Sequence, residues 1–434
     1  MSYNHIEQEG GEYASSIETT VSQHWNDRVT TNDESCSTQT GYIDIEINRQ
    51  EEKAVLKRTI FSTIPIFMAY AGMITLQRSI KDRIDIQASD KSELDLFGIA
   101  VGNLYLGNLI FRLMHNFIFS FFSPHKRVIL SYVLFAAAHL IIGCAYWIFD
   151  STSLVWCFIA YLLAGVCIGS FEANLLSCLS PLGHETKSWA VIGIPIGFNG
   201  VSIGFYILFA IIPHDVFAHA FPYFMISGSC LAGALFFYLY IPYVEFESSH
   251  DGAIRFKENL VLWREWFFQI QGNCFALMID MFCVSLFSSL VYYIYNEDNL
   301  VIYPHSETTI PRNVFQTLFN FFSFLGDFTS RKLTYIYVKK SINPLYFLIL
   351  SIIGAVCVLS KITLLAPFGI LFIMFANGSI YAQTTKHIDN NIDARFNLMS
   401  LSVWLFIGDI GSYSASLLVQ PLQIFIEGMT NSTT

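Results

Sequence analysis

Residues 153–180 read SLVWCFIAYLLAGVCIGSFEANLLSCLS, and this stretch carries a single charged side chain, Glu172. A helical run of about 20 apolar residues is long enough to cross a hydrocarbon core of roughly 30 Å. Ten further stretches have a similar character, at 60–77, 97–122, 127–149, 189–212, 220–244, 267–295, 312–337, 343–364, 366–385 and 398–427. The eleven stretches predict an all-α, polytopic membrane protein.

The composition of the whole chain favours the same class. Of its 434 residues, 53% are hydrophobic and only 13% are charged, whereas a soluble domain carries about 25% charged residues. This composition excludes a soluble enzyme, a disulfide scaffold and a nucleic-acid binder. It also predicts that the protein interacts with the lipid bilayer. The sequence shows no phosphate-binding glycine loop, no Cys/His cluster with metal-ligand spacing and no spacing typical of a catalytic triad. We therefore predict no enzymatic activity, catalytic residue, cofactor or metal.

Two polar segments divide the chain. Residues 1–52 are rich in Ser, Thr, Glu, Gln and Asp, which predicts a disordered tail, and residues 245–266 separate six apolar stretches from five. The predicted domains are a cytosolic tail, a six-helix bundle, a cytosolic linker, a five-helix bundle and a luminal tail, at 1–52, 53–244, 245–266, 267–427 and 428–434. The end of the linker places Phe256, Leu260, Trp263 and Phe267 three or four residues apart. That spacing fits a short interfacial helix, and an ordinary solvated linker is the alternative.

Basic residues set the predicted orientation. With a cytosolic N-terminus, cytosolic segments beside the membrane hold about 15 Lys and Arg residues and the opposite face about 6. The bias supports a cytosolic N-terminus, with the first span acting as the insertion signal. An odd number of spans then places the C-terminus in the lumen or outside. Within the tail, Tyr42 and Ile45 form a Tyr-x-x-apolar tetrad behind Gly41, which is typical of lysosomal sorting signals and predicts sorting adaptors as partners.

Ionisable residues inside the spans are the candidate functional residues, because each costs a few kcal/mol in hydrocarbon. The candidate substrate-binding residues are Arg112, His115, Glu172, Asp280, Asp327, Arg331 and Asp409. For each, the structural alternative is an ion pair or hydrogen bond that locks the helices together. Asp327 and Arg331 are four residues apart on one helix face, so a merely solvated pair near the helix end is the favoured interpretation there.

Arg112 and Glu172 favour a functional interpretation, because neither has an opposite charge nearby on its own span. If both faced one cavity, they would form a pair able to bind an anionic or zwitterionic solute or to relay a proton. His115, three residues from Arg112, would add a group that titrates between cytosolic and lysosomal pH. Gly165 and Gly169 lie four residues apart, a spacing that lets two helices approach closely.

Several short motifs resemble the battenin family of lysosomal membrane proteins, a branch of the major facilitator superfamily. They are Gly169-Ser170-Phe171-Glu172, Leu175-Leu176-Ser177, Ser188-Trp189, Phe315-Gln316, Ser330-Arg331, Tyr381, Thr384, Ile388, Gly411, Leu417-Leu418 and Pro421-Leu422. The chain departs from that family in lacking an asparagine pair in the first span and a C-terminal prenylation box. The resemblance implies a two-bundle facilitator of a lysosome-like or vacuolar membrane. It also implies a role in clearing glycerophosphodiesters and in balancing luminal pH and basic amino acids.

A second resemblance is to the equilibrative nucleoside transporters. Asp327 and Arg331 in the eighth span and Asn377-Gly378 in the tenth are similar to motifs of that family. Three functions therefore stay open. The first is an alternating-access exporter of a small polar solute, with Arg112 on a substrate phosphate and Glu172 or His115 sensing a coupled proton. The second is a nucleoside facilitator, and for the location of the chain the plasma membrane is the alternative. The third is a non-transporting scaffold that acts in trafficking.

Overall fold

The fold is built almost entirely from long helices. The computed structural model describes residues 56–86, 91–211, 216–242, 252–295, 297, 299–303, 306–337 and 342–431. The α-helices of the first half are α1 (Ile64–Thr75), α2 (Gln77–Arg83), α3 (Lys91–Ile118), α4 (Pro124–Gly143), α5 (Val155–Leu179), α6 (His184–Ile211) and α7 (Val216–Tyr240). Those of the second half are α8 (Gly252–Val261), α9 (Trp263–Ile294), α10 (Arg312–Tyr337), α11 (Leu348–Leu359), α12 (Ala366–Asn391) and α13 (Asn397–Asn431).

Short turns cap or extend several of these helices. A 3₁₀ turn at Lys57–Ser62 precedes α1, and a π turn at Cys144–Ile148 extends α4. Further 3₁₀ turns are Ser180–Leu182, Pro344–Phe347 and Ala394–Phe396. In the last two, the side chains of Asn343 and Asp393 accept a hydrogen bond from a backbone N–H of the turn, which satisfies a donor that the turn itself cannot pair.

Each of the eleven apolar stretches contains a helix. Within the described ranges, seven helices are long and apolar enough to cross a membrane, and a shorter apolar helix covers Pro344–Leu359. The seven are Asp95–Ile118, Pro124–Ile148, Val155–Leu182, His184–Phe205, His219–Tyr240, Trp263–Val291 and Ala394–Val419. The three remaining stretches are 60–77, 312–337 and 366–385. The first contains α1 and the start of α2, which are separated by Leu76, and the other two correspond to α10 and α12. Buried polar residues such as Asp327 in α10 and Asn377 in α12 lower the hydropathy of those two helices.

A two-stranded ribbon between α9 and α10 was not predicted. Its strands, β1 (Asn299–Val301) and β2 (Thr309–Pro311), run antiparallel, with Leu300 opposite Ile310. Each strand has three residues, too few to show a readable alternation of polar and apolar side chains. The hydroxyl of Thr363 donates to the Val301 carbonyl at 2.6 Å, so the ribbon is fixed to the turn before α12.

The segment between the two sets of spans contains one short helix among its described residues. α8 begins at Gly252 and ends at Val261, while Trp263 and Phe267 already belong to α9. The side chain of Phe256 is buried edge-to-face against Phe117 of α3, with ring centroids 4.7 Å apart. The Asn259 side chain donates to the carbonyl of Arg395 at 3.0 Å. The helix therefore contacts both the second span and the turn before the last one.

The helices pack as two groups that follow the order of the chain. α1, α3, α4, α5, α6 and α7 pack mainly on one another, and α9, α10, α11, α12 and α13 do the same. We call these groups the N-bundle and the C-bundle. The bundles meet where α10 packs on α6 and where α13 packs on α3 and α5. The predicted domain boundaries themselves stay a prediction.

Close contact between α3 and α5 depends on two glycines of α5. A Cβ atom built on Gly169 would lie 2.6 Å from the carbonyl oxygen of Asn108, and one on Gly165 would overlap that of Leu104. These obstacles are backbone atoms, which cannot rotate away. The small residues therefore fix the distance between the helices that carry Arg112 and Glu172.

Gly165→Ala should lower the melting temperature, because the new methyl group must push the α3 backbone away, at a cost of about 1–3 kcal/mol. Gly98→Ala in α3 is the matched control, since a Cβ atom at that position would meet nothing within 4 Å. The control should be neutral or raise the melting temperature, because alanine favours a helix over glycine by up to about 1 kcal/mol. Equal shifts for the two variants in purified protein would contradict the packing described here.

Candidate functional site

The centre of the molecule holds one arginine between two carboxylates. Arg112 of α3 donates from Nη2 to Glu172 Oε2 of α5 at 2.8 Å and from Nε to Asp409 Oδ2 of α13 at 2.6 Å. Its remaining nitrogen, Nη1, lies 3.4 Å from the Ile168 carbonyl. The side chains of Arg112, Glu172 and Asp409 are only 5%, 8% and 13% exposed. We call these three residues the central triad.

The central triad joins the two bundles, since Arg112 and Glu172 belong to the N-bundle and Asp409 to the C-bundle. Two further polar residues complete it. Asn108 donates from Nδ2 to Asp409 Oδ2 at 3.0 Å, and the Tyr381 hydroxyl of α12 donates to Glu172 Oε1 at 2.5 Å. With both carboxyl groups ionised, the triad carries one negative charge in excess. Such a charge is costly in a buried site unless a proton or a cationic group balances it.

A second ion pair lies on the other side of Tyr381. Arg331 donates from Nε to Asp327 Oδ1 at 2.6 Å and from Nη2 to Oδ2 at 3.4 Å within α10. Both side chains are at most 5% exposed, so the interpretation of this pair as a solvated one near a helix end is wrong. The guanidinium of Arg331 also lies 4.4 Å from the centre of the Tyr381 ring. Tyr381 therefore contacts the triad through its hydroxyl and the second pair through its ring face.

Asp280 of α9 lies apart from both ion pairs, inside the C-bundle. It is fully buried and accepts hydrogen bonds from Ser351 Oγ at 3.0 Å and from Asn377 Nδ2 at 2.7 Å. No Lys, Arg or His among the described residues forms a salt bridge with it. Its two neutral donors give it a role in holding α9, α11 and α12 together.

His115 is buried beside the triad without joining it. Its Nδ1 donates to the Phe111 carbonyl at 2.7 Å, within its own helix. His115 lies three residues after Arg112, on a neighbouring part of the same helix face. Arg112, however, pairs with Glu172 and Asp409 and not with the His115 ring. The structure thus brings together Arg112, Glu172 and Asp409 and, through Tyr381, Asp327 and Arg331, but not His115 or Asp280.

Sequence reasoning missed a polar cluster at one end of the molecule. Lys187 of α6 is fully buried, and its ammonium group donates to both carboxylate oxygens of Asp389 at 2.8 and 2.7 Å. Ser180 and Asn397 also donate to Asp389, at 2.9 and 3.1 Å, and His184 pairs with Asn390 at 2.7 Å. We call Ser180, Lys187, Asp389 and Asn397 the end cluster. Each lies within a few residues of a helix end, where the sequence gives no sign that a charge is buried.

The end cluster connects the two bundles on the side of the molecule that the basic residues predict to be cytosolic. It joins the α5–α6 turn and α6 of the N-bundle to α12 and α13 of the C-bundle. Lys332 of α10 adds a cation–π contact with Trp189 of α6, at 3.7 Å from the ring centre.

The predicted sorting tetrad of Tyr42 and Ile45 lies outside the described residues.

Comparison with solved structures identifies the architecture. A variant of the E. coli fucose:proton symporter FucP matches with a TM-score of 0.60 at 15% identity, over 86% of this chain and 92% of that one. FucP in the outward conformation matches with a TM-score of 0.56 at 14% identity over the same shares. The proton:xylose symporter XylE, bound to 6-bromo-6-deoxy-D-glucose, matches with a TM-score of 0.58 at 14% identity, over 84% of this chain and 88% of that one.

The chain has the major facilitator fold. This confirms the prediction of an all-α, polytopic membrane protein with that architecture. The sequence matches no model of a protein family and no curated protein. The resemblance to battenin and to nucleoside transporters therefore stays a prediction, and so do the roles of the candidate residues.

Removing Arg112 should destabilise the protein strongly, because Arg112→Gln leaves two buried carboxylates without their cation, at a cost of about 3–5 kcal/mol. Adding Asp409→Asn to that variant should recover part of the loss. The control is Arg395→Gln, whose partner Glu265 lies at 2.8 Å but whose side chain is 53% exposed, so the expected cost is below about 1 kcal/mol. Thermal unfolding in detergent checks the order, and equal costs for Arg112→Gln and Arg395→Gln would contradict a buried triad.

Proposed function

We propose that the protein is a carrier that moves a small polar solute across its membrane by alternating access, with the central triad as the site that couples solute and bundle movement. The observation that carries this proposal is the Arg112 guanidinium held between Glu172 of one bundle and Asp409 of the other. A buried charge that needs partners from both bundles makes the relative position of the bundles depend on what the site binds.

The excess negative charge of the triad supports coupling to a proton. A proton on Glu172 or Asp409 would leave one carboxylate for Arg112 and would make the site neutral. Asp409 is the most exposed member of the triad and has Asn108 as its second donor. The solute and the proton would then compete for, or share, the same three side chains.

The resemblance to battenin supports a solute class and a location. We propose export of a glycerophosphodiester from a lysosome-like or vacuolar compartment, with effects on luminal pH and on the balance of basic amino acids. Glycerophosphodiesters combine an oxyanion with several hydroxyl groups, which suits a site that offers guanidinium, amide and phenol donors. Sorting adaptors acting on the tail that contains Tyr42 and Ile45 remain part of this proposal.

Glu172→Gln should abolish most transport, because Arg112 would keep Asp409 but the second carboxylate could no longer hold or release a proton. The measurement is uptake of labelled sn-glycero-3-phosphocholine into proteoliposomes with an imposed pH gradient. Asp280→Asn provides a matched control, since it removes a buried carboxylate whose described partners are both neutral. Normal uptake by Glu172→Gln, or equal losses in the two variants, would refute the assignment of the site.

A nucleoside facilitator is the second candidate, and one contact favours it. A Cβ atom on Gly378 would lie 2.9 Å from the Asp327 carbonyl oxygen, so Asn377-Gly378 packs directly on the helix turn of the Asp327–Arg331 pair. The two motifs that resemble nucleoside transporters are therefore neighbours. Uptake of labelled uridine in the same proteoliposomes tests this candidate. Uridine uptake that is sensitive to Asp327→Asn, without uptake of the phosphodiester, would decide for it. The scaffold alternative predicts no uptake of either compound.

Breaking the end cluster should open the side of the molecule that it closes. Lys187→Met leaves Asp389 buried without its cation, so the variant should spend more time with this end open. The reporter is a cysteine at Ser402, a buried residue of α13 in contact with Asn116 of α3, in a chain that otherwise lacks cysteine. A water-soluble maleimide should label it several-fold faster after Lys187→Met. The exposed-pair variant Arg395→Gln should leave the rate unchanged, and unchanged labelling in both would contradict the gating role.

A further inference from the structure

Arg331 retains a hydrogen-bond donor that its ion pair does not use. Its Nε and Nη2 atoms face Asp327, while Nη1 is buried and has no acceptor among the described residues. The whole residue is only 3% exposed. Buried donors without an acceptor are rare because they lose their hydrogen bond to water and gain nothing in return. The face-on contact with Tyr381 stabilises the guanidinium charge but does not provide an acceptor for this N–H group.

Trp404 of α13 shows the same feature on the same aromatic ring. Its side chain is fully buried, its Nε1 has no acceptor among the described residues, and its ring centre lies 5.1 Å from that of Tyr381. A buried indole usually finds an acceptor, and Trp266 of α9 does so by donating to the Asn259 carbonyl at 2.9 Å. Buried tryptophans in this chain do not generally lack an acceptor. The unpaired N–H of Trp404 therefore results from the position of this residue.

Arg112, in contrast, has no nitrogen without an acceptor. All three of its nitrogens face an oxygen: Asp409, Glu172 and the Ile168 carbonyl. Its two unused N–H bonds lie on Nη1 and Nη2, which already pair with the Ile168 carbonyl and with Glu172, so an anionic solute there would share these nitrogens with existing acceptors. Arg331 Nη1 and Trp404 Nε1, however, are buried nitrogens of the C-bundle without any acceptor among the described residues, and both residues contact the Tyr381 ring.

We propose that Arg331 Nη1 and Trp404 Nε1 form a subsite that binds an oxyanion of the transported solute, such as a phosphodiester, phosphate or carboxylate group. Arginine and tryptophan side chains have donors and no acceptor, so their ligand must supply acceptor oxygens. Tyr381 separates this subsite from the central triad and donates to Glu172. A solute with an oxyanion at the subsite would therefore present its other end to the triad, whose excess negative charge suits a cationic group or a co-bound proton.

The subsite rests on the proposed carrier function for its solute, but its test does not need transport. Equilibrium binding to the purified full-length protein would be measured with labelled sn-glycero-3-phosphocholine. Inorganic phosphate, glycerol and uridine would serve as competitors. We expect phosphate to compete and glycerol and uridine to fail, because only the first supplies an oxyanion.

Two substitutions isolate the donors. Trp404→Phe removes the indole N–H and keeps an aromatic ring beside Tyr381. Arg331→Lys keeps a positive charge beside Asp327 but removes the guanidinium nitrogen Nη1. Each should weaken binding by about tenfold or more, as expected for a hydrogen bond to a charged group. Trp266→Phe is the matched control for the first, since it removes a paired indole N–H elsewhere and should leave the affinity unchanged.

The stability of the ligand-free variants gives an independent readout. Both variants leave a cavity of similar size, but Trp404→Phe removes an unpaired donor and Trp266→Phe removes a made hydrogen bond, so Trp266→Phe should lower the melting temperature more. Wild-type affinity in Trp404→Phe, or equal competition by glycerol and phosphate, would overturn the subsite. Binding that weakens as expected in a protein that transports none of these compounds would uphold the subsite and refute the carrier function instead.

Discussion

The rest of the structure depends on one interaction, the pairing of Arg112 with a carboxylate from each bundle. A lone guanidinium or carboxylate inside a membrane helix is unfavourable, so each carboxylate needs Arg112 and Arg112 needs a carboxylate. Glu172 can reach Arg112 because the glycines of α5 bring that helix against α3. Asp409 can do so only while α13 packs on the N-bundle. A local electrostatic requirement thus becomes a constraint on how the two bundles are arranged.

The polar contacts between the bundles are organised around this constraint. The central triad joins α3 and α5 to α13, and the end cluster of Ser180, Lys187, Asp389 and Asn397 lies at the predicted cytosolic side. Tyr381 lies next to the triad, since its hydroxyl donates to Glu172 and its ring contacts Arg331 and Trp404. Under the proposed carrier function, a solute bound beside Tyr381 would act on the charge of the triad and so on the contact between the bundles.

The fold was predictable from the sequence because a membrane makes every spanning helix a long apolar run, and all eleven runs contain helices. Much of the site was also visible, since Arg112, Glu172 and Asp409 are charges without a partner on their own helix. Which of them meet was not predictable, because the rotation of each helix decides it and Arg112 and Asp409 are 297 residues apart. Trp404 could not be singled out, because aromatic residues make up 16% of the chain, and Tyr381 was noted only for its resemblance to a battenin motif. Lys187 and Asp389 lie near helix ends, where a charge usually faces water.

Alternating access requires the two bundles to move relative to each other around the triad, and two distance measurements report on that movement. Spin labels at the exposed residues Lys126 and Asn391 report on the end closed by the cluster, and labels at Asp150 and Leu364 report on the opposite end. The account predicts two populations by pulsed electron paramagnetic resonance, in which one distance lengthens as the other shortens, and Asp409→Asn should change their ratio. A single distance at each end, unaffected by Asp409→Asn, would contradict it.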